Sequence, residues 1–219
     1  MNRRSVLTAV GAATGALAGC AGVTGSDPAA TETASSECSV PDGRAVTLET
    51  TGSLEHDLPL SLSAEVTRAA VTGDAPPRLS VTLANEGEDP VGLDVAEAAT
   101  CHLFDREHGG SDPTGLWLHY APAAPATADS GCWRESESAL PRTYAGAGCP
   151  EETLAAGSTI ELPYEVWADV EADSYYGVGT YGFEASFTAR PGIDTTSGTA
   201  GDALYHVSWS LTLRVDRPA

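Results

Sequence analysis

The chain has 219 residues but no lysine and no glutamine, and asparagine occurs only at Asn2 and Asn85. Its 11 basic residues are all arginine, set against 31 acidic residues. Without a basic stripe to neutralise phosphates, nucleic acid is not an expected partner. Long apolar runs are missing too. The longest near the N-terminus, Val6 to Leu17, is 12 residues, whereas a membrane-spanning helix needs about 20. The sequence contains no Gly-x-Ser-x-Gly elbow, His-Glu-x-x-His helix, phosphate loop or dinucleotide fingerprint, so no familiar catalytic constellation is encoded locally. It also lacks a Cys-x-x-Cys pair, the spacing that structural zinc sites prefer. The one methionine is Met1, and no cysteine follows Cys149. This argues against a blue-copper centre, which is built from two His, a Cys and often a Met. No cofactor and no metal are expected.

What is present begins at the N-terminus. Arg3 and Arg4 precede the short apolar run, which ends in Leu17-Ala18-Gly19-Cys20. This resembles a twin-arginine export signal fused to a lipoprotein cleavage box. The resemblance implies that residues 1–19 are removed, that Cys20 carries lipid, and that the protein sits on the outer face of the cell membrane. Residues 21–37 are small, polar and unpatterned. They read as a flexible tether reaching about 20–25 Å. A single domain, residues 38–219, follows.

All 31 acids lie after Cys20, so the mature chain pairs nine arginines with 31 carboxylates, a net charge of −22. That balance, with no lysine, looks like a protein of an extreme halophile. At molar salt the Debye length is about 3 Å and the acidic surface hardly repels itself. In dilute buffer the repulsion returns and opposes the compact state. The acids are dispersed rather than blocked, which reads as solvation and not as a cation site.

Five cysteines occur: Cys20, Cys38, Cys101, Cys132 and Cys149. With Cys20 lipidated, four remain, and an even number outside the cell points to two disulfides. Three pairings are open. The expected one joins Cys132 to Cys149, closing a Gly- and Ser-rich loop, and Cys38 to Cys101.

The hydrophobic period of the domain is two. Leu58, Leu60, Leu62, Ala64 and Val66 alternate with polar residues, as do Leu79, Val81 and Leu83. So do Ile160 to Val166, Tyr181 to Phe187 and Val207 to Val215. Each run reads as a half-buried strand. Gly73-Asp74-Ala75-Pro76-Pro77 and Asn85-Glu86-Gly87-Glu88-Asp89-Pro90 read as turns between them. No amphipathic helix is evident, so the expected fold is an all-β antiparallel sandwich. Tyr181, two residues before Phe183, has two readings. It is either a corner tyrosine whose hydroxyl bonds upstream backbone, or an ordinary strand aromatic.

The order of short motifs is itself familiar: Asn85-Glu86-Gly87, Pro90-Val91, Phe104-Asp105, Gly109-Gly110, Leu116-Trp117, Leu154 to Gly157, Val166-Trp167 and Gly179-Thr180-Tyr181. It is similar to the immunoglobulin-like domain of the bacillar intracellular proteinase inhibitor and of many surface lipoproteins, over roughly residues 77–189. The resemblance implies an immunoglobulin-like antiparallel β-sandwich, here with a long disulfide-stapled insertion at about 106–150. Fold likeness does not transfer inhibitor activity.

The insertion is where a site is expected, because long loops between strands carry function more often than the strands do. Trp133, Arg134, Tyr144 and His119 are the candidate partner-binding residues, being aromatics, Arg and His of the kind found in binding hot spots. Trp133-Arg134, beside Cys132 in a polar loop, is expected to face solvent. Leu116-Trp117-Leu118 is expected to be buried. The five histidines, His56, His102, His108, His119 and His206, are scattered. The resulting expectation is a lipid-anchored, non-enzymatic binding or structural module for an unknown surface protein or small ligand. The alternatives are a small hydrolase or metal-binding protein using residues 106–150, or a protease inhibitor. The acidic surface generates a first prediction. The melting temperature should fall steeply as KCl is lowered from molar to millimolar; a salt-independent melting temperature would remove the halophilic reading.

Overall fold

A computed structural model describes residues 43–54, 58–94, 102–104, 107–110, 115–124, 132–135, 152–170, 172, 174–192 and 203–217. The chain divides into two units, residues 1–34 and 35–219, and every described residue belongs to the second. Its described regular structure is strand, apart from one 3-10 turn at Ala121–Ala123.

One sheet runs β1 (Ala45–Thr51), β11 (Tyr205–Asp216), β10 (Gly179–Pro191), β4 (Val91–Asp94) and β8 (Glu152–Leu154) in spatial order. The other runs β2 (Leu60–Arg68), β3 (Arg78–Asn85), β9 (Thr159–Asp169), β6 (Leu116–Tyr120) and β5 (Glu107–Gly109). A two-residue strand, β7 (Arg134–Glu135), joins β9 as the one parallel pairing among the described strands. Both sheets are otherwise antiparallel and share one apolar core. Phe104 spans it, with its ring 6.3 Å from Tyr164 of β9 and 5.6 Å from Trp209 of β11. The fold is thus all-β and sandwich-like.

The five alternating runs form β2, β3, β9, β10 and β11, and the period-two pattern persists in the burial of β2, β10 and β11 and in the first half of β9. In β11, Val207, Trp209, Leu211, Leu213 and Val215 are buried while the residues between them reach solvent. Strands β1, β4 and β8 are short or weakly apolar and carry less pattern. Within 106–150 the described residues include three strands. These, β5, β6 and β7, are hydrogen-bonded members of the second sheet, because Leu116, Leu118 and their neighbours supply an inward-facing row of their own.

Two proline positions explain how β9 accommodates three neighbours. Val166 N–H donates to Pro77 O, whereas Ala168 and Val170 N–H donate to Trp133 O and Glu135 O at 2.9 and 2.8 Å. So β7 takes over the edge of β9 where Pro76-Pro77 ends β3. Pro163 lies in β9 opposite Ser80. Alternate N–H groups point to opposite edges, so its missing N–H falls on the β6 side, where pairing stops at Tyr120↔Tyr164. Proline is tolerated in a strand only where no ladder bond is needed.

Two polar side chains hold the turns. Tyr181 is buried, and its hydroxyl donates to Gly177 O at 2.7 Å, so the corner reading is the observed one. Burial raises the pKa of that hydroxyl. Asn85 is only 1% exposed. Its amide donates to Asp89 O (2.8 Å), Leu154 O (3.1 Å) and Ala155 O (3.3 Å), and its carbonyl accepts from Gly87 N–H (3.0 Å). It clamps the β3–β4 turn to the end of β8. Asn85→Asp keeps the acceptor but turns a carboxylate onto three carbonyls. It should destabilise the fold by about 3 kcal/mol, measured by urea unfolding in molar KCl; wild-type stability would show that the clamp is dispensable.

Candidate functional site

Strand β9 begins as a half-buried strand, with Thr159 and Glu161 exposed. From Tyr164 to Asp169 every residue is buried. Tyr164, Val166 and Ala168 face the inter-sheet core. Glu165, Trp167 and Asp169 occupy the opposite face of the sheet, which therefore has a covering layer of its own.

Strand register builds that layer in rows. Arg78, Glu165 and His119 lie side by side on β3, β9 and β6. Trp167, Trp117 and His108 form the next row on β9, β6 and β5. Glu135 of β7 stands opposite Asp169. Each tryptophan of the middle row donates its indole N–H to a carboxylate: Trp117 to Asp169 Oδ2 and Trp167 to Glu165 Oε2, both at 3.2 Å. Arg78 Nη2 donates to Glu165 Oε1 at 2.8 Å. His108 Nε2 lies 3.1 Å from Asp169 Oδ2 and its ring tilts against Trp117. His119 packs its ring 4.8 Å from that of Trp167, with Nε2 3.9 Å from Glu135 Oε2. Burying carboxylates is tolerable only when charged or polar donors meet them, and here the indoles and Arg78 do so.

Trp133 closes the layer. Its ring meets Trp167 edge-on at 5.9 Å. Its indole N–H donates to Thr72 O (3.0 Å) and its backbone N–H to the Tyr175 hydroxyl oxygen (2.9 Å). Arg134 places its guanidinium 5.2 Å from the Tyr175 ring centre and donates to Val170 O (3.1 Å) and Ala172 O (3.4 Å). Next to it Tyr176 is fully buried with φ of 47°, a left-handed conformation unusual for a bulky residue. Its hydroxyl donates to Val166 O at 2.6 Å, which holds the loop against β9 despite the strain. Burial, reinforced by Tyr175 and Glu165, pushes the Tyr176 hydroxyl pKa well up. Burial also raises that of Tyr175, against the opposing backbone hydrogen bond from Trp133 and the charge of Arg134. Arg68 is lowered by burial and by the nearby charge of Arg78.

These positions correct two sequence expectations. Trp133 and Arg134 are half-buried and bonded into the fold rather than facing solvent, because β7 needs them to seal the edge left by β3. His119 is fully buried, so it forms no contact surface. Trp117 is buried as expected, but on the outer layer and not between the sheets. Tyr144 lies outside the described residues, as do Arg3, Arg4, Cys20, Cys38, Cys101 and Cys149. Cys132 opens the described segment 132–135.

Of the histidines, His108 and His119 converge on this face. His102 stacks on Tyr120 at 3.7 Å, and His206 is exposed on β11. Glu135, Glu165 and Asp169 are not marked as site residues by any sequence motif, and Trp167 is marked only within Val166-Trp167. One signal was available: Trp167 falls in the outward phase of its strand, as Trp117 does between two leucines, and a large aromatic there marks a covered face. Among the described residues, no three His, Cys, Asp or Glu side chains converge to hold a metal ion. The layer is built to bury charge within paired contacts. Trp133→Ala should therefore lower stability by about 2 kcal/mol, less than the roughly 3–5 kcal/mol of a fully buried Trp. Thermal melting checks this, and an unchanged midpoint would mark Trp133 as free for a partner. Comparison with protein-family models, with curated proteins and with solved structures finds no match for this chain.

Proposed function

We propose that the protein is a lipid-anchored, non-enzymatic binding module at the outer face of the cell membrane, carried on an immunoglobulin-like sandwich. The single observation behind the non-enzymatic reading is the commitment of the clustered carboxylates. Glu165 and Asp169 accept hydrogen bonds from Trp167, Arg78 and Trp117, an arrangement that suits structural burial better than general acid–base work. The two strand orders and the Tyr181 corner support the immunoglobulin-like reading. The Cys20 box and the tether of residues 21–37 support the anchor. Of the described large apolar side chains, Val170, Val178 and Leu204 are exposed, at 47%, 50% and 47%; Val170 lies at the end of β9 and Val178 just before β10. These two valines flank the segment held by Arg134 and replace His119, Trp133 and Arg134 as the surface offered to a protein partner. The disulfide pairs Cys132–Cys149 and Cys38–Cys101 belong to the same proposal, stapling loop to sandwich.

One experiment has two readouts. Cys20→Ser should move the protein from the membrane fraction to the medium; retention on the membrane would overturn the anchor. Capture from native membranes in molar KCl should recover a partner with the wild type that is lost with Val170→Ser, Val178→Ser. A partner held equally by both would remove that surface from the proposal.

A further inference from the structure

The first sheet carries a cleft of about 450 Å³ where β1 ends beside β11, within the size range of small-ligand sites. Gly52, just past β1, forms one wall. Its N–H donates to Ser210 O at 2.7 Å, and its carbonyl accepts from the Trp209 indole at 2.6 Å. A Cβ at Gly52 would sit 2.7 Å from Ser210 Oγ, so glycine leaves room for that hydroxyl. Strand pairing sets the floor. Glu184 of β10 stands opposite Ser210. Ser208 and His206 follow along β11, each about 7 Å from the last. With Ser53, these side chains bring one carboxylate, one imidazole and three hydroxyls to the cleft. None of the five has a hydrogen-bond or ion-pair partner among the described residues.

The lining selects a ligand by exclusion. Its described residues include no arginine, so nothing in it neutralises an anion. Its one large apolar member, Trp209, is 3% exposed and offers neither an apolar wall nor a stacking face. A cation would use Glu184 and leave the hydroxyls idle. Hydroxyls both donate and accept, as a neutral imidazole does, whereas a carboxylate only accepts. A polyhydroxylated molecule meets all of them at once. The surroundings agree. In a chain with 31 acids, the outward positions from Gly182 to Thr188 and from His206 to Thr212 contain one, Glu184. Depletion of charge marks the centre of binding surfaces. We propose that this cleft binds a neutral carbohydrate residue, at a site separate from the Val170 and Val178 surface. Without a stacking ring the binding is weak, with a dissociation constant of about 1–10 mM.

The test titrates the full chain in molar KCl with the methyl glycosides of glucose, mannose and galactose, and separately with putrescine as a cation. At least one glycoside should move the backbone amide signals of Glu184, His206, Ser208 and Ser210 saturably, and putrescine should not. Ser208→Tyr fills the cleft from an exposed position and should abolish that binding. Glu184→Ala, also at an exposed position, removes the carboxylate and should weaken it about tenfold; it keeps the proposal testable if Ser208→Tyr misfolds. Signals that no glycoside moves up to about 100 mM, a response to putrescine instead, or glycoside binding unchanged in either folded variant would each overturn the proposal.

Discussion

The burial of β9 on both faces from Tyr164 to Asp169 is the constraint on which the remaining structure turns. A central strand of an antiparallel sandwich commonly leaves its outer face wet. Here that face holds Glu165, Trp167 and Asp169, so a second layer has to cover it and neutralise it. Strands β5, β6 and β7 exist in the sheet for this purpose. They bring His108, Trp117, His119 and Glu135 to the covered face by register alone. The Tyr175-Tyr176 loop then locks the end of the layer through Trp133 and Val166.

The tryptophans give the layer its character. An indole supplies a large apolar body and one donor, so it fills space and meets a carboxylate with the same side chain. Trp117 and Trp167 stand directly opposite each other across β6 and β9, and each serves a different acid. In a chain without lysine or glutamine, few other donors remain for the task. Arg78 supplies the charged one. The described acids therefore include a buried few, Glu135, Glu165 and Asp169, that hold β9 to its neighbours.

Legibility followed the strength of the periodic signal. Strands β2, β3, β9, β10 and β11 could be read from sequence because each alternates over several residues, and period two assigns a face to every side chain. Tyr181 could be read as far as its two alternatives. Strands β1, β4, β7 and β8 could not, because two to seven residues with few large apolar groups form only when a neighbour offers a ladder. The exposure of Trp133 and Arg134 was misjudged for the same reason. A polar, Ser- and Gly-rich neighbourhood describes the loop, whereas β7 is decided by the edge that Pro76-Pro77 leaves open on β9.

Sequence alone determined the class of structure, the inward row of each long strand, the turns at 73–77 and 85–90, and the net negative charge. These are local or summed properties, and no distant contact alters them. Tertiary structure decided that β5, β6 and β7 join the second sheet, and that His119 is buried. It also decided that Glu135, Glu165 and Asp169 share the face covered by the tryptophans. His119 and Glu135 lie tens of positions from Glu165 and Asp169, and only strand register, set by pairing across the whole sheet, brings them to one face.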